Sequence, residues 1–180
     1  MINIISTKIP DLKIIEPQIF KDARGYFFES FNLKKFNDML NLNMNFVQDN
    51  HSKSLYGVLR GLHYQSSPFE QGKLVRVLSG EVFDVAVDLR KNSSTYGNWF
   101  GIFLSAKNKK QLWIPPGFAH GFLVTSASAE FCYKTTKFYN KEHEKCIIYN
   151  DDELNIQWPR LDISYILSSK DLIGKKFNEQ

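Results

Sequence analysis

The chain has 180 residues, 43% of them hydrophobic and 23% charged, a balance that lets one domain bury a core and excludes disordered, collagen-like and low-complexity chains. Its 23 Lys and Arg against 19 Asp and Glu leave a net charge of +4, and these cations are scattered, not gathered into the basic stripe that nucleic-acid binding needs; a small anionic ligand fits better than a polyanion. No run approaches the ~18 apolar residues of a membrane span, and Met1-Ile2-Asn3-Ile4 lacks the basic region of a secretory signal, so a cytoplasmic protein is expected.

Taken along the chain, period-two alternation predicts strands over 25–31, 56–65, 73–78, 82–89, 98–105, 112–115, 121–125 and 130–136. A helix is expected at 33–40, where Phe36 and Leu40 share a face, and a short turn near 171–175. Turn signals at Ser79-Gly80, Tyr96-Gly97 and Pro115-Pro116-Gly117 separate the strands. In the strand at 82–89, Phe83, Val85, Val87 and Leu89 take one face, while Asp84 and Asp88 share the other with Val82 and Ala86. Many short strands without crossover helices predict a mainly β protein with a few short helices, a double-sheet jelly roll being the leading architecture. Such a fold holds a ligand between its sheets, which directs attention to inward-facing polar residues.

His63 lies in Arg60-Gly61-Leu62-His63-Tyr64-Gln65. Strict alternation puts Arg60 and His63 on opposite faces, whereas a bulge at Gly61 brings them together. His120, in Phe118-Ala119-His120-Gly121-Phe122, is a second candidate, although a strand histidine taken alone is more often a structural group than a catalyst. His51 and His143 stand in polar surroundings and read as surface residues. The chain has no His-x-His pair, and the position two after His63 is Gln65, so no metal site is expected. Tyr133 shares a face with Phe131 and Thr135 and reads as a core aromatic whose hydroxyl needs a partner; Lys73, opening a strand after Gln71-Gly72, reads as solvated. Asp84 is costly to bury alone and is expected either in solvent or bonded to a cation or imidazole, His120 being the partner suggested. Cys132 and Cys146 match no CxxC pattern and read as reduced and structural.

Several ordered segments together resemble the dTDP-4-dehydrorhamnose 3,5-epimerase family: 22–30, 46–52, 60–65, Gln71-Gly72-Lys73-Leu74-Val75-Arg76, 80–85, 113–122, Tyr133-Lys134 and 167–171. The resemblance covers nearly the whole chain. It implies a cupin-type double-stranded β-helix forming a single domain over 1–180, a homodimer, and neither metal nor redox cofactor. The implied reaction is inversion at C3 and C5 of dTDP-4-dehydro-6-deoxy-D-glucose, with single-centre epimerisation of another 4-keto nucleotide sugar as the alternative. By the same resemblance His63 is the base, Tyr133 the acid, Lys73 the cation beside the enolate oxygen and Asp171 the carboxylate orienting His63. Arg24, Glu29, Gln48, Asp49, Asn50, Arg60, Lys73, His120, Glu144 and Lys170 take ligand-contact positions, and Tyr139 is the aromatic that stacks on thymine. Arg24, Glu29 and Gln48 are expected to reach across the dimer interface.

Overall fold

The computed structural model describes residues 2–180. In chain order it contains β1 (Asn3–Ser6), β2 (Lys13–Glu16), β3 (Phe20–Asp22), β4 (Gly25–Phe27), α1 (Leu33–Leu40), β5 (Gln48–Leu55), β6 (Leu59–Gln65) and β7 (Lys73–Ser79). There follow β8 (Glu81–Asp88), β9 (Trp99–Ser105), β10 (Gln111–Ile114), β11 (Phe118–Val124), β12 (Ser128–Thr135), β13 (Glu144–Cys146) and the four-residue α2 (Ser169–Leu172). A six-stranded sheet runs β1-β2-β10-β7-β12-β5, a five-stranded sheet runs β13-β6-β11-β8-β9, and β3 pairs with β4 as a separate ribbon. The two larger sheets form the cupin-type jelly roll. Among the described residues, no helix is long and apolar enough to cross a membrane.

The alternation of β8 explains the layering. Val82 and Ala86 face the other sheet and join Val75, Val77, Phe122 and Phe131 in the inter-sheet core. Phe131, 1% exposed, stacks on Phe122 at 4.3 Å, and truncating such a side chain to alanine costs about 3–5 kcal/mol. Val85 and Val87 point the other way and are equally buried, because residues of the C-terminal segment, Leu154, Ile156 and Phe177, cover that face. The six-stranded sheet is covered on its outside by α1, whose Phe36 meets Trp113 edge-on at 5.1 Å. Asn32 caps this helix by accepting from the Lys35 amide, and Asn41 ends it in the left-handed conformation.

Asp88, on the same face of β8 as Asp84, is fully buried at the strand's end. Its carboxylate accepts from the Arg90 guanidinium at 2.7 and 2.9 Å and from the hydroxyls of Ser93 and Thr95, each at 2.7 Å. Burial alone would raise this carboxyl, but those bonds outweigh it and hold it at about 2. The loop between β8 and β9 is thereby tied to the sheet.

Two expected strands need correction, and β1, β2, β3, β5 and β13 were not expected at all. The strand expected at 25–31 stops at Phe27, and the one at 56–65 begins at Leu59, because Tyr56-Gly57 is a turn with Gly57 at φ +77. β5 escapes the hydrophobic signal altogether. Its sequence QDNHSKSL is polar on both faces, since Asn50 and Ser52 line a cavity, exposed His51 stands at its edge, and Asp49 and Lys53 face solvent.

Candidate active site

Between the two sheets lies a cavity of about 310 Å³. β6 sends both Arg60 and His63 into it because the ladder slips: the β6–β11 pairing shifts register between His120 and Phe122. Gly61 permits the slip. It has φ +120, and a Cβ there would lie 2.5 Å from the Gly121 Cα, so only glycine fits both the conformation and the close approach. Arg60 is steadied by donating from Nε to the Ser54 hydroxyl at 3.0 Å.

His63 Nε2 lies 2.6 Å from Asp171 Oδ1. Asp171 is 3% exposed and belongs to α2, where the Ser168 hydroxyl donates to its other oxygen at 2.7 Å and accepts from the Asp171 amide at 3.2 Å. Burial pushes the Asp171 carboxyl upward, yet the bonds from His63 and Ser168 win and hold it at about 2. A carboxylate can only accept, so it fixes the tautomer with the proton on Nε2 and leaves the Nδ1 lone pair as the basic site.

The facing sheet supplies Lys73 from β7 and Tyr133 from β12. Lys73 is only 7% exposed, contrary to the solvated reading, and its ammonium donates to the His63 carbonyl at 3.3 Å. It takes an inward position opposite fully buried Thr135 in the β7–β12 ladder. Burial drops its pKa to about 8, with Asp84 and Glu144 limiting the fall. Tyr133 packs beside Phe131, and burial raises its phenol above the ordinary value, with Glu144 adding to the effect. Among the described residues its hydroxyl has no hydrogen-bond partner. Deeper still, His120 Nε2 sits 2.9 Å from Asp84, which is fully buried. Burial lowers His120's affinity for a proton despite Asp84. The expectation that Asp84 bonds an imidazole holds; its second oxygen, Oδ1, is buried with no partner.

At the mouth, the Tyr139 hydroxyl donates to Glu144 at 2.6 Å, and the Lys170 ammonium pairs with the same carboxylate. Burial pushes the Glu144 carboxyl up, but Lys170 and Tyr139 outweigh it and hold it low. Gln48 donates to Asn50 at 2.9 Å and accepts from the Tyr139 amide at 3.1 Å, placing Asn50 on the cavity wall.

Asn50, Arg60, His63, Lys73, His120, Tyr133, Tyr139 and Glu144 thus line one cavity, with Asp171 and Lys170 bonded to its wall. Three of the expected contact residues lie elsewhere in the chain's own structure. Arg24 is on the exposed β3–β4 ribbon paired with Asp22, Glu29 bonds Lys35 and Asn32, and Asp49 points outward to Lys134. Its position on β5 explains the last case, because residues 48 and 50 face inward and 49 does not. Ser52 and Gln71 also line the cavity and were not singled out by the sequence; only their place beside Asn50 and Lys73 marks them. Gln65, two positions after His63, donates to the Phe69 carbonyl and accepts from the Asn140 amide, so it ties loops together. His51 is exposed as expected, while His143 is half-buried, bonded to Ser66 and packed on Phe69. Both cysteines are free thiols. Cys146 stands opposite His63 in the β13–β6 ladder, and His63, Cys146 and Asp171 offer metal-ligating atoms all within 4.8 Å of one another.

A family model described as dTDP-4-dehydrorhamnose 3,5-epimerase matches residues 6–179. The chain is 58% identical over 175 residues to the enzyme of that name from Shigella flexneri, covering 97% of this chain and 96% of the relative. It is 59% identical over 169 residues to that of Pseudomonas aeruginosa, covering 94% and 92%. A dTDP-6-deoxy-D-glucose-3,5-epimerase from Legionella pneumophila, solved with dTDP-4-keto-L-rhamnose, superposes with a TM-score of 0.96 at 55% identity over 99% of this chain and 94% of that one. A 3'-monoepimerase from Streptomyces bikiniensis, solved with dTDP-quinovose, superposes with a TM-score of 0.90 at 29% identity over 96% and 87%. The chain belongs to the dTDP-4-dehydrorhamnose 3,5-epimerase family.

Proposed function

We propose that this member of the family inverts C3 and C5 of dTDP-4-dehydro-6-deoxy-D-glucose to give dTDP-4-dehydro-L-rhamnose, with His63 as base and Tyr133 as acid. The observation that supports this reading is their placement: His63 projects from the five-stranded sheet and Tyr133 from the six-stranded sheet into one cavity. A sugar ring held between the sheets meets a base on one face and an acid on the other.

The C4 ketone acidifies the hydrogens at C3 and C5. His63 removes one through Nδ1, the C–H electron pair becomes the enolate double bond, and the carbonyl pair moves onto the C4 oxygen. The Lys73 ammonium, buried in low dielectric, stabilises that oxygen as its charge develops. Tyr133 then returns a proton from the opposite face, which inverts the centre, and its phenolate and the imidazolium exchange protons with solvent before the second centre reacts. Asp171 holds the imidazole in register and stabilises its cation.

Tyr139 offers its ring at the cavity mouth for stacking on thymine, and Arg60, His120 and Lys170 are assigned to the diphosphate and sugar with Asn50 and Glu144. Arg24 and Glu29 serve a neighbouring subunit in a homodimer, whereas Gln48, bonded to Asn50 and Tyr139 of its own chain, is placed at its own cavity and not across the interface. The exposure of Phe20, Tyr26 and Phe27 on the β3–β4 ribbon, 54, 59 and 70%, supports a partner there. The reading takes 1–180 as one domain, without nucleic acid, acting in the cytoplasm, where free thiols persist.

The likeness to a monoepimerase favours a second reading, since one base facing one acid also serves a single centre. Turnover of the sugar nucleotide in deuterated water, followed by NMR, separates the two. Deuterium at C3 and C5 with inversion of both is expected; deuterium at one centre alone would replace the first reading by the second, and no exchange would overturn both.

A further inference from the structure

The thiol of Cys146 takes no part in the reaction described above, yet it borders the atoms that do. Register brings it there: Cys146 is the direct cross-strand partner of His63, so both side chains leave the same face of the β6–β13 pair, and Asp171 enters from α2. One nitrogen, one sulfur and one oxygen consequently lie within 4.8 Å of one another. Tetrahedral zinc holds nitrogen and oxygen at about 2.0–2.2 Å and sulfur at about 2.3 Å, which sets its ligand atoms roughly 3.3–3.6 Å apart. Side-chain rotations of about one ångström reach that spacing, opening the 2.6 Å His63–Asp171 contact and drawing in the thiol, which lies no more than 4.8 Å from either atom.

We propose that His63, Cys146 and Asp171 form an inhibitory site for a thiophilic divalent cation of the zinc type. Binding forms metal bonds to sulfur, to His63 Nε2 and to oxygen; the thiol proton leaves to solvent, the imidazole proton moves by exchange with solvent from Nε2 to Nδ1, and no electron is transferred. Without a cation, burial and the neighbouring Asp171 carboxylate keep the thiol up at about 11, so it stays uncharged and leaves the imidazole–carboxylate pair intact. With one bound on Nε2, the ring proton occupies Nδ1, no basic lone pair is left, and proton abstraction stops. Magnesium, which demands octahedral oxygen ligands, does not compete for this set.

Only the consequence for catalysis rests on His63 being the base; binding rests on the three ligands themselves. The test is a titration of the metal-free protein with Co²⁺, read by the charge-transfer absorption of a cobalt–thiolate bond, with Zn²⁺ inhibition of epimerisation measured in parallel. One thiolate-bound Co²⁺ per chain is expected, displaced by Zn²⁺, together with inhibition that a chelator reverses. Cys146→Ser and Cys146→Ala are expected to lose the thiolate band and to need about ten-fold more Zn²⁺ or beyond for inhibition, at metal-free rates within about two-fold of the parent. Absence of the band in the parent protein, or equal Zn²⁺ sensitivity in parent and variants, would overturn the site. If the chain turned over no sugar nucleotide, the cobalt titration would still decide it.

Discussion

Asp171 meets His63 across 108 positions of sequence, its Oδ1 2.6 Å from the imidazole Nε2 while Ser168 holds Oδ2 at 2.7 Å. Both carboxylate oxygens are directed, so the imidazole's orientation follows from a four-residue helix and its cap. Asp171→Asn keeps the shape but permits the wrong tautomer, and kcat is expected to fall roughly 10²–10⁴-fold with a smaller change in KM. An unchanged kcat would remove Asp171 from the machinery. Folding lowers the carboxyl from 3.8 to about 2, so its contribution to stability is present above about pH 4 and lost as pH falls towards 2.

Burial sets Lys73 against the fold. Its pKa drops from 10.5 to about 8, so the charged form costs stability below pH 8, and the penalty fades between pH 8 and 10.5. Lys73→Met is expected to unfold later than the parent at pH 7, by up to roughly 3 kcal/mol, while kcat collapses. In the parent, kcat/KM should decline with a midpoint near pH 8 as the ammonium is lost. A profile flat to pH 10 would show that the charge does not act in the reaction.

Tyr133→Phe removes one hydroxyl from a side chain that makes no other polar contact. Inversion is expected to slow by about 10²–10⁴-fold, while His63 continues to exchange substrate hydrogens with solvent. Deuterium wash-in without inversion is the signature. Loss of both together would mean that Tyr133 shapes the base's side of the cavity.

Gly61→Ala tests whether the register slip serves the site. The new methyl would lie 2.5 Å from Gly121 Cα and 2.8 Å from the His120 carbonyl at a positive φ. A loss of several kcal/mol by denaturant titration and near-complete loss of turnover are expected; parent-like stability would show that the strand accommodates a side chain there.

Arg24 lies outside its own chain's cavity, which makes the dimer testable by mixing. Arg24→Ala and His63→Ala are each expected to be nearly inactive alone. Co-refolded, half the dimers carry both variants, and one site in each is whole, so about a quarter of parent activity should return. No recovery would place the function of Arg24 within its own subunit.

Most strands with an apolar face were legible from the sequence, but β1 and β2 were not expected even though Ile14 and Ile15 are buried. α1 matched its expected limits, and β7 through β12 were found to within a few residues, because each buries at least one hydrophobic face. The polar-walled β5 and the three-residue β13 gave no such signal, although both border the cavity. Asp84's need for a partner was foreseen from the cost of burying a charge, and the bulge at Gly61 from its place beside Arg60 and His63. Lys73 was misjudged because strand position alone does not reveal that a lysine points inward. The proximity of Asp171 and Cys146 to His63 depends on how the C-terminal segment wraps, which no local pattern encodes.

That wrap has a thermodynamic consequence. Residues 147–180 hold little regular structure and are fastened to the sheets by backbone bonds between Leu62 and Ile147 at 2.9 and 3.0 Å, by the Val58–Ile166 bridge with its bonds from the Leu59 amide to Ile166 and from the Ile166 amide to Gly57, and by a few buried side chains. The base's partner rides on this strap, so chemical competence follows the strap's own docking equilibrium. Because the strap also covers Val85 and Val87, its partial detachment costs core burial together with the Asp171–His63 bond, and turnover is expected to fail at a lower temperature or denaturant concentration than the barrel's unfolding.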